Sequence, residues 1–272
     1  MIIRPGFYRI PDDEYHAGPG LSKSDLFLLL RSPAHYKAKE ERKETPALIL
    51  GSAIHVAVFQ PKEFERRYVV KPEGMSFVTK EGKAWRSEQE GSIILSFEDY
   101  KTCEGIKKAV RSHPIAADLL SDGEPEVTGY WDDPEAPEIL CKLRMDWVNK
   151  AKRIIVDLKS CMDAREHIFK RDAYNLRYHM QSSWYCYGVT QITRIEHRDF
   201  YFIAVEKDPP YGVAVYKASD DMTTEGLKDC AKALGIYKRC MEEGRWPCYP
   251  EEIVELGLPG WVTRKEPNFI IE

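Results

Sequence analysis

Apolar and polar positions follow a helical period through the first part of the chain and change to two-residue alternation near its middle. Ser22-Lys23-Ser24-Asp25 predicts a helix start, with Ser22 as cap and Asp25 closing an approximate capping box. That helix runs through Leu26 to Arg31, and Ser32-Pro33 stops it and starts another. Ala47 to Phe59 reads as a helix with a small-residue stretch (Gly51, Ser52, Ala53) and a lone His55. Residues 72–92, punctuated by Gly74, Gly82 and Gly91, predict a mobile loop or small excursion. Phe97 to Leu120 is helical with a break at Pro114. Alternation then predicts a meander of strands at 126–131, 138–148 and 153–159. A long helix from about His167 to Thr190, strands at 198–206 and 211–217, and a last helix at 222–243 complete the order. Helices, three strands, helix, two strands and helix predict an α/β fold with a mixed central sheet flanked by helices.

The meander carries the candidate chemistry. With Asn149-Lys150-Ala151-Lys152 as an even polar turn, Asp146 is expected opposite Ile155. Asp146, Asp157 and Lys159 then share one face, and Met145, Trp147, Ile154, Val156 and Leu158 fill the other. A spaced acid followed by acid-x-Lys suits a divalent-metal phosphodiesterase: two carboxylates hold a hard cation through oxygen, and the cation polarises a phosphate and activates water. The lysine lies where it can steady that water or the developing charge. As a bare pattern this is weak, because the same residues also read as a solvated face with an Asp–Lys pair.

The 272 residues fit one large domain or a domain with an appended arm. A hydrophobic content of 43% with 31% charged residues is that of a globular protein with a substantial core. No apolar run reaches membrane-spanning length, and Met1-Ile2-Ile3-Arg4-Pro5 lacks the shape of a signal peptide. Seven scattered cysteines without a C-x-x-C point to a reducing cytoplasm, and argue against zinc, a disulfide scaffold and, less firmly, an iron–sulfur cluster. A net charge of −4 does not itself suggest nucleic-acid binding, although a nuclease needs only local basic tracks. Lys150/Lys152/Arg153 and Lys170/Arg171/Arg177 permit such tracks and also read as solvated faces.

Several ordered motifs together resemble the RecE-type (exonuclease VIII) phage and prophage exonucleases, within the PD-(D/E)XK nuclease superfamily that includes lambda exonuclease and the RecB nuclease domain. They are Tyr15-His16 with Leu21-Ser22-Lys23-Ser24, Ser32-Pro33-Ala34-His35-Tyr36, Gly51-Ser52-Ala53-Ile54-His55, and Glu126 with Trp131. Cys141-Lys142-Leu143-Arg144-Met145-Asp146, Val156-Asp157-Leu158-Lys159-Ser160, Gln181 with Tyr185, and Trp246-Pro247 with Tyr249 complete the set. The resemblance covers most of the chain and implies one domain over 1–272. Within it lie an N-terminal helical part (about 20–70), the loop at about 72–92 and a catalytic core (about 97–245).

It further implies His55, Asp146, Asp157 and the Leu158 carbonyl as metal ligands and Lys159 as the catalytic lysine. Glu126 reads either as a member of the catalytic face or as the ion-pair partner of Arg144. Gln181 and Tyr185, at i and i+4 on one helix, face the active site and the DNA in the family. Ser22 and Ser24 at a helix start suit a DNA phosphate. The activity implied is Mg²⁺-dependent (Mn²⁺ substituting) exonucleolytic degradation of linear duplex DNA, 5′→3′, leaving 3′ single strands. A single-strand annealing protein of RecT type and a homo-oligomeric ring, trimer or tetramer, are the implied partners, in a bacterial cytoplasm. The rival readings are an iron–sulfur nuclease of the Cas4 or AddB kind, and a non-catalytic DNA-binding or assembly subunit that retains the fold.

Overall fold

The computed structural model describes residues 3–40 and 45–258, so the ends of the domain expected over 1–272 lie partly outside the described residues. In chain order the elements are β1 (Gly6–Tyr8), α1 (Asp12–Ala17), α2 (Lys23–Arg31), α3 (Pro33–Lys37), α4 (Pro46–Phe59), α5 (Pro61–Arg67), β2 (Tyr68–Val70), α6 (Lys80–Glu88) and β3 (Ile93–Leu95). There follow α7 (Phe97–Ser112), α8 (Pro114–Leu119), β4 (Glu124–Asp133), β5 (Ala136–Asn149), β6 (Ile154–Cys161), α9 (Glu166–Asn175), α10 (Tyr178–Thr193), β7 (Asp199–Glu206), β8 (Val213–Lys217) and α11 (Asp220–Glu243). Six strands form one mixed sheet in the order β1-β4-β5-β6-β7-β8, parallel only between β6 and β7. This is the α/β fold with a mixed, helix-flanked sheet that the alternation pattern predicts.

Two apolar cores sandwich the sheet. Strand alternation delivers Ile155, Phe200, Phe202 and Ala204 to one core, where they meet α2, α9, α10 and α11. Ile154, Val156, Leu158, Ile203 and Val205 go to the other, against α4, α5, α7 and α8. Helix α10 sits hard on the first face: a Cβ on Gly188 would stand 2.6 Å from both Leu143 and Trp131. No described helix is long and apolar enough to cross a membrane.

Helix starts follow the local chemistry. Ser22 caps α2 in a complete capping box with Asp25, Ser32 caps α3 ahead of Pro33, and His113 caps α8 at the break foreseen at Pro114. Other expectations need correction. Residues 72–92 include helix α6, capped by Thr79, and β3 pairs with β2 in a small parallel sheet. The single helix expected over 167–190 is two, because the chain turns at Leu176 and Arg177 adopts a left-handed φ of 57°. Neither residue is a Gly or Pro, so composition did not mark the break. Strand β1, which adds an edge beside β4, is too short to show an alternation.

The most consequential correction concerns register. Asn149 belongs to the ladder, paired with Ile154, so the turn is 150–153 and Val148, not Asp146, faces Ile155. The turn still holds an even number of residues, so the two acids are not separated by parity. The β5–β6 ladder comprises Asn149↔Ile154, Val148↔Ile155 and Trp147↔Val156, and beyond it the strands diverge. Leu21 enters the gap: its N–H and C=O bond Leu140 and Lys142 on the edge of β5 that β6 has left. Met145 therefore does not share a face with Trp147: it packs in the first core, and Trp147 in the second. At the same level β4 places Pro125 opposite Trp147 and Val127 opposite Met145, and Glu126 between them takes φ 53°. A left-handed acid inside a strand is a strained conformation of the sort found at functional sites.

Candidate active site

The fork between β5 and β6 gathers side chains from both layers. Asp146 Oδ2 accepts a hydrogen bond from the Leu158 N–H at 2.9 Å, the substitute for a ladder bond where the strands part. The same oxygen lies 3.2 Å from Nδ1 of His55, which α4 delivers from the second layer. Glu126 comes from β4, and one acceptor atom each of His55, Glu126 and Asp146 lie within 4.8 Å of one another. Glu126 accepts from Arg144 Nε at 2.8 Å, so it is the ion-pair partner of Arg144 while its carboxylate also stands beside His55 and Asp146.

Asp157 and Lys159 turn toward α10. Gln181 binds both, donating from Nε2 to Asp157 Oδ1 at 2.5 Å and accepting from Lys159 Nζ at 2.9 Å. Lys159 Nζ stands 2.7 Å from Asp157 Oδ2 and 4.6 Å from the Tyr178 ring centre. That Asp157 oxygen is buried and close to the ammonium but not aligned with it as a hydrogen bond, so it retains an unfilled acceptor position. Tyr185 lies one turn beyond Gln181, edge-on to Phe200 and packed against the first core. Burial, with the nearby acids, raises its phenol well above the ordinary value, so it is a neutral hydroxyl.

Electrostatics follow from crowding acids into a largely buried fork. Burial pushes the Asp157 carboxyl up to about 6, with Lys159 drawing it back and Asp146 adding repulsion. Burial also raises Glu126, and Asp146 adds to the effect against the pull of Arg144. Asp146 goes the other way: burial opposes its charge, but His55, Lys159 and the Leu158 N–H outweigh burial and hold it below the usual carboxylate range. For His55, burial disfavours the imidazolium, yet Asp146, Glu126 and Asp157 together hold it up at about 9. Burial pulls Lys159 down, and Asp157 and Asp146 more than restore it. The fork thus balances its acids against the His55 imidazolium and the Lys159 ammonium, and a cation bound there would displace the imidazolium proton.

A divalent cation fits that point. Two carboxylates and one imidazole make a donor set suited to Mn²⁺ and acceptable to Mg²⁺, and the unfilled Asp157 oxygen lies in the same fork. The expected set His55, Asp146, Asp157 differs from the converging trio, in which Glu126 takes the place of Asp157 because Gln181 and Lys159 engage the Asp157 carboxylate. The contact found for Leu158 is through its N–H. Ser22 is committed to its capping box, Oγ donating to Asp25 at 2.6 Å, whereas Ser24 is exposed in the first turn of α2.

Lys23 was not singled out from the sequence. Wedged at the fork by the Leu21 pairing, its Nζ donates to the Leu176 carbonyl at 3.0 Å. Burial, then Lys159, lowers it to about 8. Its position between Ser22 and Ser24 was the available signal. Lys142, also unassigned, is buried and donates to the carbonyls of Tyr15 (2.7 Å) and Gly18 (2.6 Å), fixing the loop that carries Leu21.

A six-stranded mixed sheet, forked over an acid, acid-x-Lys and glutamine cluster, defines the PD-(D/E)XK nuclease fold. The chain belongs to the family described as PDDEXK-like domain of unknown function (DUF3799), whose model matches residues 22–256. A crystal structure of a candidate exonuclease from Eubacterium rectale is similar with TM-score 0.60, at 14% identity, covering 94% of this chain and 98% of its own. A phage-related exonuclease from Haemophilus somnus 129PT is similar at TM-score 0.38 and 10% identity, covering 86% of this chain and 99% of its own. At such identities the likeness is one of fold. Among curated proteins none matches the chain.

Proposed function

We propose that the chain is a divalent-metal-dependent deoxyribonuclease, and within that class a RecE-type exonuclease that degrades linear duplex DNA 5′→3′ and leaves 3′ single strands for recombination by annealing. The observation that carries the reading is the convergence of His55, Glu126 and Asp146 beside the Asp157–Lys159–Gln181 cluster. The similarity to structures of an exonuclease class supports it at the level of fold. Mg²⁺, or Mn²⁺ in its place, would supply Lewis-acid polarisation of the phosphate and activation of water. His55, Glu126 and Asp146 would hold it, with Asp157 adjoining and the Leu158 carbonyl as the further oxygen the family resemblance implies.

The rest of the chemistry belongs to the chain. Gln181 ties Asp157 and Lys159 together through two hydrogen bonds, so the ammonium is preorganised to orient the attacking water and offset charge on the phosphate oxygens. Arg144 positions Glu126. Tyr185, as a neutral hydroxyl beside Gln181, and Ser24, at the exposed start of α2, would contact the DNA. Ser22 acts by capping the helix that presents Ser24. A homo-oligomeric ring, trimer or tetramer, and a RecT-like annealing partner complete the proposal.

Linear duplex labelled at either end, with a covalently closed circle as control, tests it in Mg²⁺, Mn²⁺ and EDTA. Loss of the 5′-ended strand from the linear substrate alone, abolished by EDTA, is expected. Cleavage of the circle would overturn the exonuclease reading. Binding of duplex with no digestion in any divalent metal would favour a non-catalytic DNA-binding subunit.

A further inference from the structure

We propose that the open groove between α4 and α6 binds a single-stranded stretch of the nucleic acid and leads it along α4 to or from the fork, an inference that rests on the nuclease reading. The groove has a volume of about 940 Å³. One wall is basic: Lys83 and Arg86, i and i+3 on α6, line it. Neither is held in an ion pair with a described residue. The opposite wall is apolar, with Ile49 of α4 and Ile93 and Ile94 of β3. Phe77 forms part of the lining and stacks on Trp85 with centroids 6.3 Å apart, while Lys71 and Arg86 lie 4.9 and 5.4 Å from its ring centre. A cationic side for phosphates facing an apolar and aromatic side for bases is the chemistry of a single-strand track, since an unpaired strand exposes both. A duplex presents its bases only at groove edges and has little use for an apolar wall.

Continuity connects the groove to the site. Ile49 and Ile93 also line a second, smaller cavity of about 180 Å³ that Ser52 enters from α4. Ile49, Ser52 and His55 are spaced at i, i+3 and i+6, a ridge that rises about 9 Å while winding about 120° around the helix. The ridge ends at the imidazole that meets Asp146. Asp12 and Asp13 line the smaller cavity from α1, and Asp12 lies 3.7 Å from Arg144 and 3.5 Å from His16. Acids on the α1 side and cations on the α6 side set the polarity of the passage: phosphates belong along α6. One acid, Glu90, lies on the α6 side of the larger groove, among these cations.

The test uses the whole chain in EDTA, so that binding is read without cleavage. A fluorescein-labelled oligothymidylate is titrated by anisotropy against wild type and Lys83→Glu/Arg86→Glu at several salt concentrations. The double variant should bind several-fold more weakly, and its log–log salt slope should fall by about 1.4, for two phosphate contacts on a single strand. An oligonucleotide carrying 5-iodouracil should crosslink to peptides from α4, α6 or the Phe77 segment. Hydrolysis of bis(p-nitrophenyl) phosphate, measured separately with Mn²⁺ in place of EDTA and too small to reach the groove, should be unchanged in the variant. Equal affinity and slope, or crosslinks confined to other elements, overturns the inference, as does a wild-type protein that binds no oligothymidylate. If the wild type binds through the groove but no metal supports hydrolysis, the nuclease reading fails while the groove assignment stands.

Discussion

Replacing Asp157 by Asn isolates the electrostatic strain in the fork. A carboxyl moved from 3.8 to about 6 prefers its neutral form in the fold by about 3 kcal/mol. Asn keeps that neutral shape, and its carbonyl still accepts from Gln181. Because the folded value is raised, the stabilising contribution of the protonated acid is fully present below pH 3.8 and is lost as pH rises through 6. Metal-free wild type and variant should therefore melt together near pH 4, diverge between pH 4 and 6, and stay a constant distance apart above pH 6. At pH 8 the variant should be more stable by about 3 kcal/mol, or roughly 6–12 °C in Tm for a domain of this size. Nuclease activity should be lost at every pH, and added Mg²⁺ should raise Tm more for wild type than for the variant. Scanning fluorimetry in EDTA and in Mg²⁺, with linear-duplex digestion in parallel, measures all of this. A variant that melts at or below wild type at pH 8 in EDTA would refute the reasoning, and would show that the Asp157–Lys159 pair contributes more than its burial costs.

Lys159→Ala should lower the rate by about 10²–10³-fold, the range for one preorganised transition-state donor, with little change in metal affinity by calorimetry. His55→Ala should raise the Mg²⁺ or Mn²⁺ concentration needed for activity, with partial rescue by excess metal. Since His55 is held up at about 9, its contribution to metal-free stability is present below 6.5 and lost as pH rises through 9, so the variant's Tm should be flatter than wild type's over that interval. Glu126→Gln should weaken metal binding while Arg144 keeps its hydrogen-bond partner; a fall in Tm with unchanged metal titration would leave Glu126 a structural ion pair. Gly188→Ala should cost about 1–3 kcal/mol by denaturant titration, because its Cβ would press on Trp131 and Leu143 at 2.6 Å.

The alternation of β4 to β6, the capping signals of α2 and α3 and the break at Pro114 made the layer order legible, since these depend on residues close in sequence. Acid, acid-x-Lys and the i, i+4 placement of Gln181 and Tyr185 were likewise local. The register was not, because a turn displaced by one residue shifts the pairing by two and leaves the side-chain parity unchanged, and only the fork shows where pairing stops. Glu126 stayed ambiguous from sequence for a similar reason: its left-handed φ depends on the strand opposite. Lys23 and the α6 groove arise from contacts across more than a hundred and about forty positions respectively, which no local pattern encodes.

The fork draws His55 from one layer, Gln181 from the other and its acids from strands between them, and Leu21 must slot into the open edge before α2 can approach. No single layer carries the set, and its members span residues 21 to 181. A chain still emerging during synthesis, with α10 not yet docked, has the Asp157–Lys159 pair but lacks the glutamine that ties the two together from the far layer. Assembly of the cluster therefore reports completion of the fold: a partly made chain carries the acids without the arrangement proposed to use them.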